Sequence, residues 1–163
     1  MNPRLKSVTI TDFRSIRGTV TFPLDSPVVL IHGQNGAGKT SLLSAIELGL
    51  TGQVASLARI DPTFESHLVH KAASEGKVSI TTEGLAELNQ SAEIASINKK
   101  FTGKGVLSPS LSRFYGERCY LAQSTLARLL EIYQHKDARL TESPLTKFVK
   151  ELLGLDQLDA LVE

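Results

Sequence analysis

The chain has 163 residues, which is enough for one domain with a buried core. Hydrophobic residues make up 41%, charged residues 21% and the net charge is +1, so the composition by itself indicates neither a nucleic-acid nor a membrane partner. A single cysteine, Cys119, excludes an intramolecular disulfide and a cysteine-built zinc site. With no apolar run of membrane-spanning length and no signal-peptide pattern, we expect a cytoplasmic protein.

The N-terminal part predicts β structure. Residues 5–13 are rich in β-branched side chains and residues 18–22 alternate apolar and polar, which together predict a hairpin. Residues 28–31 (VVLI) are wholly apolar and are typical of a strand buried on both faces of a sheet.

Residues 33–40 (GQNGAGKT) match the phosphate-loop pattern G-x-x-x-x-G-K-[ST]. Glycines let successive backbone N–H groups turn toward an anion, and the N-terminus of the following helix adds unpaired N–H groups. Lys39 is expected to reach the β- and γ-phosphates, Thr40 to offer its hydroxyl to Mg²⁺, and Ser41 to touch the α-phosphate. The pattern therefore predicts a nucleoside triphosphate site.

The rest of the chain predicts further elements in order. A helix follows the loop, with Gly49 and Gly52 available to end it. Residues 66–73 predict a short helix or turn, residues 77–82 and 93–100 predict strands, residues 102–105 predict a turn, and residues 109–115 predict one helical turn. Ser124, Ser143 and Asp156 are expected to cap three helices.

The order of motifs resembles the head domains of structural-maintenance-of-chromosomes (SMC) proteins and of related DNA-repair ATPases of the RecF and RecN kind. The resemblance rests on five stretches along nearly the whole chain. They are residues 10–15 (ITDFRS), 33–43 (GQNGAGKTSLL), 69–78 (VHKAASEGKV), 120–123 (YLAQ, similar to the family's Q-loop) and 152–156 (LLGLD).

The resemblance implies an α/β fold, the N-terminal lobe of a P-loop ATPase head of the ABC/SMC type, with an antiparallel β preface and a mixed sheet around the P-loop helix. Residues 1–32 would hold the hairpin and the P-loop strand, residues 33–52 the loop and its helix, residues 53–123 the strands leading to the Q-loop, and residues 124–163 a helical segment leading toward a coiled coil.

The same resemblance implies further site residues and the choice of ATP over GTP. Gln123 is implied to act with Lys39 in catalysis and with Thr40 in holding Mg²⁺, because a neutral carboxamide contacts the metal and the attacking water without adding charge. Asn35 and Arg14 are implied to lie beside the nucleotide. The nucleotide-binding set is Arg14, Asn35, Gly36, Ala37, Gly38, Lys39, Thr40 and Ser41. From spacing alone, Gln123 is more often a solvated turn residue, and Arg14 is equally well a solvated hairpin residue.

The implied partners are a C-terminal lobe carrying the signature and Walker B motifs, a second head in an ATP-bound dimer, DNA for the complete protein, and a nuclease or effector subunit. The sequence shows neither motif, so ATP hydrolysis is expected only when that lobe completes the site. The pathway stays open between DNA repair, chromosome maintenance and defence against foreign DNA; bound to DNA, the protein would be nucleoid-associated.

Two other classes stay open at this stage. A self-contained nucleotide kinase suits the length, although nearly thirty residues of β structure before the loop are unusual for one, and an ABC transporter ATPase shares the P-loop and Q-loop. Lys71 and the cluster Lys99, Lys100 and Lys104 are candidates for DNA phosphates but more often represent a solvated face. The histidines lack metal-ligand company, so we assign them no chemistry.

Overall fold

The computed structural model describes residues 4–58, 63–84 and 91–120. The chain divides into two compact units, residues 1–117 and 118–163. Of the second unit, the described residues are 118–120. The architecture below is that of the first unit.

Five strands form one sheet in the order β2-β1-β3-β4-β5, and each described pairing is antiparallel. The strands are β1 (Arg4–Phe13), β2 (Ile16–Pro23), β3 (Lys77–Glu83), β4 (Ser91–Ile97) and β5 (Lys100–Thr102). Strand β4 alternates strictly between exposed and buried residues. One face of the sheet therefore supplies the core, as expected for an antiparallel sheet with a solvated second face.

Helix α1 (Lys39–Thr51) packs on the central strands β1, β3 and β4. It is buried well beyond one stripe, with nine residues from Ser41 to Leu50 buried and Leu43 left 40% exposed. The helix and sheet share one cluster of buried apolar residues, which includes Val8, Ile10, Phe13, Leu42, Ala45, Leu48, Val78, Ile80 and Ile94. Helix α1 is thus the central element of the core.

Three backbone hydrogen bonds close the last turn of α1. Gly52 caps the helix with a left-handed φ of 82°, and its N–H donates to the Leu48 carbonyl at 2.7 Å. The chain then returns so that Val106 and Leu107 donate to the carbonyls of Gly49 and Leu50 at 3.1 and 2.8 Å. These bonds satisfy carbonyls that a helix end leaves without partners.

Short elements complete the described unit. They are α2 (Ala55–Ala58), a 3₁₀ turn at Phe64–His67, α3 (Pro109–Phe114) and a π-helical turn at Tyr115–Cys119. Glu47 of α1 is buried, and its carboxylate accepts from the N–H and the hydroxyl of Ser56 in α2, at 3.1 and 2.5 Å. Within the described ranges, no helix has the length and apolar character needed to cross a bilayer.

The predicted α/β architecture is confirmed, and so are the hairpin, α1 with Gly52 at its end, β3 and the helical turn after Ser108. Gly49 does not end the helix. It lies in its interior, where an added Cβ would be 3.0 Å from the Cβ and the Cγ2 of Ile80. A helix and a sheet approach this closely where glycine removes the intervening side chain.

The mixed sheet and its P-loop strand are corrections to the sequence prediction. Residues 28–31 form no strand, and Val28 and Leu30 are 84% and 83% exposed. A strand requires a hydrogen-bonded neighbour, and among the described residues none pairs with this apolar run.

Two turns also differ from the sequence prediction. The predicted strand over 93–100 breaks at Asn98 and Lys99, whose φ values of 51° and 64° make a two-residue hairpin into β5. Within residues 66–73, the 3₁₀ turn ends at His67 and Val69 forms an isolated β-bridge with Phe13. The predicted helix or turn is therefore a 3₁₀ turn and a second turn at residues 71–72, with the β-bridge between them.

Four charged side chains form an ion cluster at the start of β1. Lys6 contacts Asp25 at 2.6 Å and Glu83 at 3.2 Å, while Arg4 contacts the same carboxylates at 3.2 and 3.0 Å. Hydrogen bonds from Lys6 lower the pKa of Asp25 and, together with Arg4, that of Glu83. The hydrogen bonds to Asp25 and Glu83 raise the pKa of Lys6. The cluster links the loop after β2 to the sheet.

This cluster predicts a pH dependence of stability. Because the folded pKa values of both carboxyls are lowered, their contribution is present above the ordinary values of 3.8 and 4.5 and is lost as pH falls through the folded values. The Lys6 contribution is present below 10.5 and is lost as pH rises through its raised value. The exposed setting keeps the effect small. In thermal unfolding measured at successively lower pH, the unfolding temperature should fall less steeply with pH in Asp25→Asn/Glu83→Gln than in the parent. Identical pH dependences of the two proteins would contradict this prediction.

The Gly49 contact predicts an overpacking effect. Alanine favours the helix by up to about 1 kcal/mol, whereas overpacking a core costs about 1–3 kcal/mol. Because Ile80 is fully buried, we expect Gly49→Ala to lower the free energy of unfolding by about 1 kcal/mol and Gly49→Val by more. Urea unfolding measures both. A Gly49→Ala protein more stable than the parent would show that Ile80 moves aside freely.

Candidate nucleotide-binding site

The loop over residues 33–40 closes as a tight turn at the start of α1. Ala37 N–H donates to the Gln34 carbonyl at 3.2 Å, and Gly36 and Gly38 have φ values of 85° and 92°. These left-handed conformations disfavour residues with a Cβ. Gly38 is also the N-cap of α1, so Lys39 begins the helix directly after the turn. The N-terminus of α1 therefore lies directly at the end of the loop.

The ammonium of Lys39 lies over this turn. Its Nζ donates to the carbonyl oxygens of Gly33 at 2.7 Å and Gln34 at 2.8 Å. An ammonium has three donors and these bonds use two, so one N–H remains for an anion in the loop. The carbonyl groups of the loop thus hold the positive charge beside residues 33 and 34.

The remaining predicted loop residues lie together on the surface. Asn35, Gly36, Ala37 and Thr40 are exposed, and Gly38 and Lys39 are half-buried. Thr40 occupies the first turn of α1, directly after Lys39. The structure therefore gathers the loop residues predicted to bind nucleotide into one solvent-exposed turn.

Ser41 lies on the inner side of the same helical turn. It is 4% exposed, and its hydroxyl is 2.8 Å from the hydroxyl of Ser15. The Ser15 N–H also donates to Ser41 Oγ at 3.4 Å. An added Cβ at Gly38 would be 3.4 Å from Ser15 Oγ. The turn between β1 and β2 is therefore hydrogen-bonded to the first turn of α1 and lies close to Gly38 of the loop.

Arg14 occupies the first position of that two-residue turn. Its Nη1 donates to the hydroxyl of Ser44, which is 1% exposed, at 3.0 Å. The backbone is strained here, since Arg14 has a φ of 53° and Asp12 a φ of 46°. The strained turn places the Arg14 guanidinium one helical turn beyond Ser41, on α1.

The turn is braced from its other side by residues 68–70. Arg14 N–H donates to the Leu68 carbonyl at 2.7 Å, and His70 N–H donates to the Asp12 carbonyl at 2.8 Å. Between these bonds, Phe13 is fully buried and contacts the Phe101 ring edge to face at a centroid distance of 5.4 Å. Lys71 follows on the surface. The motif at residues 69–71 thus supports the hairpin turn.

Sequence reasoning missed Ser15 and Ser44. Ser15 belongs to the DFRS stretch that carries the family resemblance, and that membership is its only signal in the sequence. Ser44 has no signal in the sequence, because its contact with Arg14 depends on the strained turn.

Other sequence candidates lie apart from this turn or outside the described residues. Gln123 falls outside the described ranges, as do the helices predicted from Ser124 onward. Lys100 contacts Glu65 at 3.7 Å, Lys99 is exposed in the β4–β5 turn, and Lys104 is exposed just after β5. The described part of the chain contains no group of three or more histidine, cysteine, aspartate or glutamate residues placed to hold a metal ion.

Comparison with known proteins identifies the family and the fold. The sequence profile of a family described as an AAA domain matches residues 7–159. The chain is 28% identical over 149 residues to the DNA replication and repair protein RecF of Rickettsia rickettsii and, equally, to that of Rickettsia canadensis. Each alignment covers 83% of this chain and 41% of the relative, so the chain spans less than half the length of these RecF proteins.

Two solved structures share the fold. One comes from work on ATP-driven dimerization and DNA-stimulated activation of SMC ATPases, with a TM-score of 0.57 at 16% identity, covering 93% of this chain and 98% of that one. The other is the recombination mediator RecF with ATP, with a TM-score of 0.50 at 20% identity, covering 80% and 39%. The profile match and these likenesses lead to one conclusion. The chain belongs to the AAA domain family, and its fold is that of the SMC and RecF proteins to which it is similar.

Proposed function

We propose that this lobe binds ATP with Mg²⁺ and forms the ATP-binding half of an SMC-like or RecF-like head. The observation that carries the proposal is the loop at residues 33–40, in which two left-handed glycines lead into α1 and the Lys39 ammonium lies across the turn. Backbone N–H groups, the helix N-terminus and one fixed cation are the elements that bind a polyphosphate. The RecF–ATP structure with the same fold supports ATP as the nucleotide.

The donor set also fits Mg²⁺ bound together with the nucleotide. Thr40 is exposed in the first turn of α1, next to Lys39. Mg²⁺ is usually held by one or two protein oxygens, several waters and substrate phosphates, so a protein cage of carboxylates is not required. When bound, Mg²⁺ neutralises phosphate charge. Thr40 is the proposed ligand from this loop, with Gln123 as the proposed second ligand.

The chain segment before the loop supports a role for a second lobe. Val28 and Leu30 are among the most exposed apolar side chains described, and Val29 is 41% exposed. Contiguous exposed apolar residues mark interaction sites. We infer that the C-terminal lobe of the same protein covers them with neighbouring strands, which agrees with the 41% share of RecF that this chain covers.

The inferred second lobe bears on catalysis and on partners. The lobe supplies the phosphate loop and, by the proposal, Lys39 and Gln123, while signature and Walker B residues come from the second lobe. ATP then joins two such heads, and the engaged dimer acts on DNA in repair, chromosome maintenance or defence against foreign DNA, with a nuclease or effector subunit as a further partner. The SMC structure, described by ATP-driven dimerization and DNA-stimulated activation, supports this role.

Removing the Lys39 charge tests the nucleotide site. We expect Lys39→Ala to weaken ATP binding in the presence of Mg²⁺ by roughly 10- to 100-fold, because hydrogen bonds to charged groups contribute about 1.5–3 kcal/mol. Isothermal titration calorimetry measures the affinity. Lys104→Ala removes the same charge from an exposed lysine on the β5–α3 connection and should bind as the parent does. Equal affinities in all three proteins would refute the proposed site.

Charges placed on the exposed apolar segment test the second lobe. Because Val28 and Leu30 are 84% and 83% exposed, Val28→Glu/Leu30→Glu should leave the unfolding temperature of the lobe nearly unchanged. Burying unpaired carboxylates is costly, so the same changes should prevent association with the C-terminal lobe and abolish ATP hydrolysis by the complex. Ile97→Glu, at an exposed position on β4, is the matched control. Full hydrolysis by the double variant would contradict the proposal, as would phosphoryl transfer to nucleoside monophosphates by the lone lobe.

A further inference from the structure

The hydroxyls of Ser15 and Ser41 form a pair behind the phosphate loop. Their oxygens are 2.8 Å apart, and the Ser15 N–H approaches Ser41 Oγ at 3.4 Å. Ser41 is 4% exposed, whereas Ser15 is exposed on the hairpin turn. The buried hydroxyl of the site therefore obtains its partner from a different element, the β1–β2 turn.

The donors and acceptors of this pair determine what Ser41 can offer an anion. A serine hydroxyl has one hydrogen to donate and two lone pairs that accept. A phosphate oxygen accepts hydrogen bonds, so Ser41 must direct its hydrogen toward the phosphate. Ser15 then has to donate to Ser41, and its N–H and O–H together fill both lone pairs. In that arrangement each hydrogen-bonding position of the Ser41 hydroxyl is used.

Neighbours on two sides determine the position of Ser15. An added Cβ at Gly38 would be 3.4 Å from Ser15 Oγ and 3.4 Å from Ile16 Cγ1, so a side chain at position 38 would press on the hairpin turn. On the opposite side, the bond from Arg14 N–H to the Leu68 carbonyl fixes the turn. The Ser15 hydroxyl thus has a defined position relative to the first turn of α1.

We propose that Ser15 is a positioning residue for the nucleotide, which acts by donating to Ser41 so that the Ser41 hydrogen points to the α-phosphate. The inference rests on the proposed ATP-binding function and adds a residue outside the phosphate loop to that site. Ser15 itself does not touch the nucleotide. Since the α-phosphate is common to ATP and ADP, the Ser15 contribution is the same for both nucleotides.

Calorimetric titration of the chain with Mg²⁺-ATP and with Mg²⁺-ADP tests the proposal on Ser15→Ala, Ser15→Thr, Ser41→Ala and Ser15→Ala/Ser41→Ala. Losing one hydrogen bond to a polar group should weaken both nucleotides by the same factor, about three- to tenfold. Ser15→Thr keeps the hydroxyl and should restore binding. In the Ser41→Ala background, Ser15→Ala should have no further effect, because its hydroxyl has lost the group through which it acts.

The matched control is Thr19→Val, which removes a hydroxyl from a second pair in the same hairpin. Thr19 Oγ1 lies 2.9 Å from Thr11 Oγ1. This variant should leave the affinity for both nucleotides unchanged, which separates the Ser15 effect from general weakening of the hairpin. Unfolding temperatures without nucleotide show whether each variant folds.

The outcomes separate this inference from the proposed function. If Lys39→Ala loses binding while Ser15→Ala stays within twofold of the parent, the nucleotide site stands and the role of Ser15 is refuted. Additive losses in the double variant, or unequal losses for ATP and ADP, also overturn it. If the parent chain binds neither nucleotide, the proposed function fails and the role of Ser15 fails with it.

Discussion

The contact between the β1–β2 turn and the first turn of α1 determines the geometry of the candidate site. A phosphate loop works only if its glycines, its lysine and the helix N-terminus keep fixed relative positions. Here a Cβ at Gly38 would come within 3.4 Å of both Ser15 and Ile16, and the first two turns of the helix are bonded to the hairpin through Ser41 and Ser44. The hairpin is therefore a structural support for the loop, although it lies some twenty residues earlier in the chain.

That support requires strained backbone. Asp12 and Arg14 both have positive φ, which costs of order 1–2 kcal/mol for each residue with a side chain. The surrounding bonds offset this cost, because the Asp12 carboxylate accepts from Gly18 N–H at 2.7 Å and the backbone of residues 68–70 bonds on either side of the buried Phe13. The strain turns the Arg14 side chain onto α1.

Local patterns were sufficient to predict the loop, α1 and the first hairpin. Residues 33–40 carry their own glycines, the helix has apolar side chains at regular spacing, and the strands alternate, so each depends on neighbouring residues alone. The misassigned parts depend on distant ones. Residues 28–31 have the composition of a buried strand, but a strand forms only against a hydrogen-bonded partner. The pairing of residues 68–70 depends on the position of Phe13, which is more than fifty residues earlier in the sequence. Asparagine often adopts a left-handed conformation, but the residue type of Lys99 gives no indication of its positive φ. Contacts such as Ser15 to Ser41 bring together residues 26 positions apart, and no local pattern predicts them.

Helix α1 joins the site to the stability of the lobe. Its N-terminus carries the loop, while its interior packs on Ile80 through Gly49 and its last carbonyls accept bonds from Val106 and Leu107. Because the loop conformation exists only when this helix is folded on the sheet, a nucleotide that binds there stabilises the whole unit; at a concentration 100 times the dissociation constant the gain is about 2.7 kcal/mol. The strained turn lies between the loop and the bracing residues 68–70. A nucleotide that binds there therefore also favours the strained conformation of that turn.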